Sequence, residues 1–352
     1  MKLLLLYMEL ADYAVECLRA LKKSNPEVEI HVVAYPVNPE APFDFDFSDI
    51  GKLYNRDKFD HEKIQLFSDK LVPDLIICSG WTDRSYLKVI RTWKNKAKTV
   101  LCMDNKWLGT LKQKIACFGA RLYLPRIFDY IWVPYHQHAK FAKRMGFAEN
   151  RIKLGFYTAS VSKFQRYYTA NKLSKENEFP KVLVCVARYI PQKNLKMLWD
   201  AFTELDKEHD LSWQLWNLGQ GDGFDRRVEH PKIKHHGFVQ PKDIPAIIEK
   251  SGVFVLPSLS EPWGVVVHEF AAAGFPMLVS SHVGSHEAFV ETGANGFVFD
   301  PTNKKDLKEQ LISIFNCEPL ELQNMGEKST ELANRFNHET WINTCYEMLR
   351  NE

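Results

Sequence analysis

Short apolar runs recur along this chain, and longer amphipathic stretches separate them. In the first half the runs are KLLLLYM, EIHVVAY, DLIICS, TVLCMD and YIWVPY, with amphipathic stretches at Asp12 to Ser24, around His61 to Leu71 and near Ser85 to Trp93. The runs are apolar at consecutive positions, which suits strands covered on both faces, and the stretches between them carry the period of helices lying on a sheet. Strand, helix and strand in repetition predict a parallel sheet, because parallel neighbours need crossover connections. The register breaks at TASVSKFQRYYTANKLSKENEFPK, where polar residues dominate, and resumes with KVLVCVA, LSWQLWNLG, IKHHGFV, GVFVLPS, PMLVSS and NGFVFD. The expected fold class is α/β, with two doubly wound parallel-sheet domains over 1–165 and 175–335 and a linker near residues 160–180.

Composition agrees with two domains, since 352 residues at 45% hydrophobic content exceed the usual size of one core. The 46 basic and 44 acidic side chains leave a formal charge of +2, which excludes a whole-molecule grip on nucleic acid. The apolar run of the opening MKLLLLYMELADYAV is broken by Glu9 and Asp12 and no small-residue cleavage site follows, so it reads as the first strand and not as a signal peptide. No window reaches the roughly 20 apolar residues of a membrane span. Seven cysteines occur singly without a CxxC pair, which suits reduced thiols in a cytoplasmic protein and argues against disulfides and zinc.

In doubly wound sheets ligands sit beyond the carboxyl ends of the strands. The loop after KVLVCVA carries Arg188 and then Lys193, which precedes an amphipathic helix. Two cations beside a helix N-terminus make a seat for a diphosphate, although taken alone they read sooner as two solvated charges at a turn. The loop after GVFVLPS carries Glu261 and Gly264, and Glu269 follows in a helix whose neighbours, EFAAAGFP, are too apolar for a solvated face. A carboxylate in that setting needs a partner, and glutamates there offer acceptors to sugar hydroxyls.

The segment SEPWGVVVHEFAAAGFP, with its two glutamates seven residues apart after LPS, resembles the signature of retaining glycosyltransferases of family 4. ARYIPQKNL is similar to that family's phosphate-binding loop, LWNLGQGDG to its glycine-bearing strand end, HHGFVQPKDIPAIIEKSGVFVLPS to its base-binding strand and helix, and SSHVGSHEAFVETGANGFVFDP to its donor-side closing segment. The resemblance is clear over about 180–302. It implies a GT-B fold, two facing Rossmann-like domains with a cleft between them, and a hexosyltransferase whose donor is a nucleotide sugar, UDP-sugar ahead of GDP-sugar; no acidic doublet ends a strand of the second domain, so the reaction is expected to be metal-independent. On this resemblance Arg188 and Lys193 hold the diphosphate and stabilise the leaving group, Glu269 binds the ribose, and Glu261 contacts the donor sugar. Backbone at Val239 meets the base, and Gly219, Trp263 and Gly264 line the donor site. The closing helix, 336–352, crosses back to the first domain. The acceptor is a glycan or glycolipid hydroxyl in cell-surface polysaccharide or glycolipid assembly.

The first domain departs from the family pattern. Its loop ELADYAV lacks glycines, and Asp104, Asn105 and Lys106 stand where many members have a histidine. Asp104 is therefore both an acceptor-side candidate and an ordinary strand-end cap. The stretch 105–128 carries Lys106, Lys112, Lys114, Arg121 and Arg126, no acid, and interleaved Trp107, Leu108, Leu111, Ile115, Phe118 and Tyr123. It suits contact with an anionic membrane surface and equally a helix that buries one apolar face. His136, His138, His235, His236, His282 and His286 read as structural or loop residues, with no metal site. A second reading, prompted by the altered first loop, is a non-catalytic nucleotide-sugar-binding subunit of a partner transferase. A nicotinamide oxidoreductase is disfavoured, since no GxGxxG follows either first strand.

Overall fold

The computed structural model describes residues 1–36 and 46–350. Residues 351–352 of the expected closing segment lie outside the described residues. The chain forms two compact units, Met1–Thr158 together with the chain from His338 on, and Ala159–Asn337.

Unit 1 contains β1 (Lys2–Tyr7), α1 (Asp12–Ser24), β2 (Glu29–Ala34), β3 (Lys52–Asn55), α2 (His61–Leu71), β4 (Leu75–Ser79), α3 (Arg84–Trp93), β5 (Lys98–Cys102), α4 (Leu111–Ile127), β6 (Tyr130–Trp132), α5 (His136–Arg144) and β7 (Ile152–Lys153). Unit 2 contains α6 (Val161–Asn177), β8 (Val182–Val186), α7 (Leu195–His209), β9 (Gln214–Leu218), β10 (Ile233–Gly237), α8 (Ile244–Lys250), β11 (Val253–Leu256), α9 (Val265–Ala272), β12 (Met277–Ser280), α10 (His286–Phe289), β13 (Gly296–Phe299), α11 (Lys304–Phe315) and α12 (Pro319–Ala333). The last helix, α13 (His338–Arg350), belongs to unit 1.

Among the described residues, unit 1 has a seven-stranded sheet in the order β3-β2-β1-β4-β5-β6-β7, and unit 2 a six-stranded one in the order β10-β9-β8-β11-β12-β13. Neighbouring strands run parallel throughout, with Leu3 opposite Ile30 and Leu75 in the first sheet and Val184 opposite Trp216 and Phe254 in the second. These are two Rossmann-like sheets, as the alternation of apolar runs requires. The central strands are buried on both faces, so Leu3 and Leu5 enter one apolar cluster while Leu4 and Leu6 enter another. α13 closes the first of these clusters with Trp341, Cys345 and Met348, and the Trp341 ring centre lies 5.0 Å from that of Trp132.

The stretch read as a linker is instead a helix. α6 buries only Val161 and Phe164 fully, then lays Tyr168 against Gly274, where an added Cβ would come within 2.2 Å of the ring. Beyond that point it is held by polar contacts, Lys172 to Glu327 at 2.7 Å and the Gln323 amide to the Lys175 carbonyl at 3.0 Å. So short an apolar stripe leaves little helical period in the sequence. The seven cysteines are free, six of them buried.

Candidate functional site

In unit 2 the chain leaves β8 toward β9 and β10 on one side, then crosses to β11, β12 and β13 on the other. The strand order reverses between β8 and β11, and the loops leaving those two strands part there to form the crevice in which open α/β sheets bind ligands. Both loops carry residues singled out in the sequence.

The β8 loop runs through Arg188, which is half-buried, to a tight turn at Pro191–Lys193. Asn194 ends that turn in the left-handed region at φ 56° and donates its side-chain amide to the Pro257 and Pro301 carbonyls at 3.2 and 2.9 Å. The Leu259 N–H donates to the Gln192 carbonyl at 2.8 Å. These bonds fix the β8 turn to the β11 loop, and at their tip the Lys193 ammonium pairs with the Glu261 carboxylate. Both side chains are largely shielded, at 17% and 16% exposure, so the two charges attract each other more strongly than an exposed pair would, and each has lost hydration in the contact. It spans the point where the strand order reverses.

The β11 loop is held in turn by the loop after β12. Glu261 N–H donates to the His282 carbonyl at 3.3 Å, Gly284 N–H to Glu261 at 3.0 Å and Ser285 N–H to Trp263 at 2.9 Å. The Ser285 hydroxyl donates to the Gly264 carbonyl at 3.1 Å, and His282 Nδ1 to the Leu259 carbonyl at 2.9 Å. Trp263 is 2% exposed, its ring set edge-on to Phe289 at 5.9 Å, which anchors the loop from below. Gly264 has φ 86°, and a Cβ there would lie 3.1 Å from Glu261 Cγ and from Val283 Cγ1. A side chain there would be strained both by the positive φ and by these contacts, so glycine suits this entry into α9.

Glu269 is the fifth residue of α9 and is half-buried. Its neighbour His268 is fully buried, accepts the Ala159 N–H on Nδ1 at 3.1 Å and donates from Nε2 to the Ala333 carbonyl at 2.9 Å. That neutral imidazole fixes the rotation of α9, and with it the face that Glu269 occupies. On the other flank of β8, Gly219 ends β9 at φ 138°, where a Cβ would lie 2.1 Å from the Ala187 carbonyl oxygen. Its N–H donates to Gly237 at 2.6 Å, which brings in the end of β10 and the half-buried Val239 beyond it. The adjacent Tyr189 hydroxyl donates to His235 Nδ1 at 2.7 Å, so His235 braces the wall of the site. His286 Nδ1 likewise donates to a carbonyl, that of Val283, at 2.6 Å.

The structure therefore brings Lys193, Glu261 and Gly264 into one tip and places Arg188 and Gly219 on the neighbouring strand ends. Val239 lies two strands from Lys193, and Asp104 lies in unit 1. Asp104 accepts a hydrogen bond from Tyr157 at 3.3 Å, while Thr110 caps α4. Tyr13 stands edge-on to Tyr157 at 5.3 Å, and its phenol is pushed up by burial and by the Asp104 charge. Asn194, His268 and Ser285 escaped the sequence reading. An asparagine just before the helix was the available signal for the first, and a histidine inside an apolar run for the second.

Residues 169–332 match the family model described as glycosyl transferases group 1. An uncharacterised glycosyltransferase of Methanocaldococcus jannaschii is 27% identical over 164 residues, 45% of this chain and 44% of that protein. The chain spans less than half the length of the first curated relatives it matches. Among solved structures, sucrose-phosphate synthase from Thermosynechococcus elongatus aligns with a TM-score of 0.75 at 15% identity, covering 99% of this chain and 98% of that one. HepE of Anabaena in complex with UDP aligns with a TM-score of 0.75 at 16% identity, covering 99% of each chain. The two sheets thus have the GT-B fold, and the segment that carries the Lys193–Glu261 tip is the one that matches the glycosyl transferases of group 1.

Proposed function

We propose that the protein is a retaining, metal-independent glycosyltransferase that moves a sugar from a UDP-sugar to a hydroxyl of a glycan or glycolipid acceptor in surface-glycan assembly. The observation that carries this reading is the Lys193–Glu261 pair spanning the point where the strand order of unit 2 reverses. Uridine as the base is supported by the UDP complex of similar fold. Retention follows from the sequence signature alone.

Glycosyl transfer from a nucleoside diphosphate leaves a group on which negative charge accumulates, and fixed cations in a shielded crevice stabilise it. Arg188 and Lys193 are assigned that role. Glu261 pairs with Lys193, so a diphosphate bound at Lys193 exchanges with the carboxylate and frees Glu261 to accept from hydroxyls of the donor sugar. Gly264 and Trp263 bring backbone amides toward the same point, and Glu269 takes the ribose hydroxyls. The strand order places β10 two spacings from β8, roughly 10 Å, a separation that suits a base at Val239 and a diphosphate at Lys193. Asp104 is the acceptor-side residue of unit 1.

The test is UDP release from UDP-glucose and other UDP-sugars without acceptor. Wild type releases UDP slowly, and Glu261→Gln loses release while still binding UDP. Firm UDP binding with no release from any donor, with or without glycan acceptors, would instead favour a non-catalytic subunit.

A further inference from the structure

The helix α4 in unit 1 has two apolar faces, and among the described residues only one of them is packed. Cys117, Leu124 and Ile127 are buried in the cluster around Val89, Ile131 and Phe141. The Tyr123 hydroxyl accepts from Arg91 at 2.8 Å. The approach to the helix is fixed as well, with Trp107 packed 5.4 Å from Phe141 under the Arg144 guanidinium, and the Gln113 amide bonded to the Lys106 carbonyl at 2.7 Å. The opposite face carries Leu111, Ile115, Phe118 and Leu122, which at 3.6 residues per turn form one straight ridge. Each is between 52% and 74% exposed, and Leu108, just before the helix, is 70% exposed.

Cations flank this ridge on both sides. By the same helical period Lys114 and Arg121 lie along one edge and Lys112 and Arg126 along the other, and all four are exposed. No acidic residue occurs between Asn105 and Phe128. A ridge of large apolar side chains between two basic rails matches the boundary between acyl chains and anionic headgroups, where apolar tips insert and cations meet phosphates. A second copy of the chain fits less well, since a two-fold pairing of ridges would set basic rail against basic rail with no carboxylate between them.

We infer that the exposed face of α4 docks on an anionic lipid bilayer. The inference goes beyond the donor-site reading and uses none of its residues, and it gives unit 1 a place at the surface where a lipid-linked acceptor would be met. Co-sedimentation of the full chain with phosphatidylcholine vesicles, with and without phosphatidylglycerol, tests it. Binding is expected only to the vesicles containing phosphatidylglycerol, and it weakens as salt is added. Phe118→Glu reduces it by roughly tenfold or more, through the loss of an inserted ring. Combined reversal of Lys112, Lys114 and Arg121 to glutamate reduces it by about a hundredfold or more, at about fivefold for each cation removed. These side chains are exposed, so thermal melting and UDP affinity stay at wild-type values, which separates a lost surface from a lost donor site. Absence of binding to phosphatidylglycerol vesicles, or equal binding by Phe118→Glu, overturns the inference. So does a dimer in solution that Phe118→Glu dissolves.

Discussion

Lys193 and Glu261 are close enough to neutralise each other, and that contact makes opposite predictions for its two members. Removing the carboxylate with Glu261→Gln takes away the competitor for Lys193, so UDP affinity stays level or rises while UDP release from donor collapses. A parallel loss of both would remove Glu261 from the proposed role. Gly219 gives a purely steric case. Its φ of 138° and the 2.1 Å approach of a Cβ to the Ala187 carbonyl leave no room for a side chain. Gly219→Ala should cost about 2 kcal/mol or more in urea unfolding. Lys175 supplies a pH dependence. Its ammonium donates to the Ser251 carbonyl at 2.8 Å and lies 4.2 Å from the centre of the Phe275 ring, and burial pulls its pKa down to about 7. The folded value lies below that of the unfolded chain, near 10.5, so the unfolded state holds the extra proton across that window and stability rises with pH from about 7 upward. Lys175→Met should lack that rise, and parallel stability curves for the two proteins would contradict the assignment. At this scale the charged and glycine residues that gather at the candidate site were legible, because their chemistry is unusual between apolar runs. Asn194, His268 and Ser285 were not, because their work is to bond backbone groups brought near only by folding.

The elements were legible where burial on both faces made a strand apolar throughout. β1, β4, β8 and β11 fall within runs readable directly, β5 begins one residue before its run, and α1 and α2 match their amphipathic stretches. β3 and β7 escaped, the first an edge strand with exposed side chains and the second two residues long. α6 was taken for a linker because its contacts are aromatic and ionic. α13 shows the converse, an element of unit 1 supplied from the far end of the sequence. Trp341 donates from Nε1 to the Phe156 carbonyl at 3.1 Å and packs on Trp132. Trp341→Ala should lower the stability of unit 1 by about 3–5 kcal/mol. Hydrogen exchange should then show lost protection in β1 and β6 with β8 and β11 unchanged, and a uniform loss over both units would contradict the division.

For the whole molecule, the alternation of runs determined the architecture but not the spatial order of the strands. Order matters here, because Lys193 and Glu261 stand 68 residues apart in the chain and meet only where β8 and β11 become neighbours. The signature resemblance identified both residues without revealing their contact. The central claim is that this junction binds the diphosphate of a nucleotide sugar. Calorimetric titration of UDP into the full chain and into Lys193→Ala tests it most directly. The account predicts saturable binding to wild type and a loss of about tenfold or more in the variant, the size of a charge-assisted hydrogen bond. Equal UDP affinity in a folded Lys193→Ala protein, or no UDP binding by wild type, would contradict it.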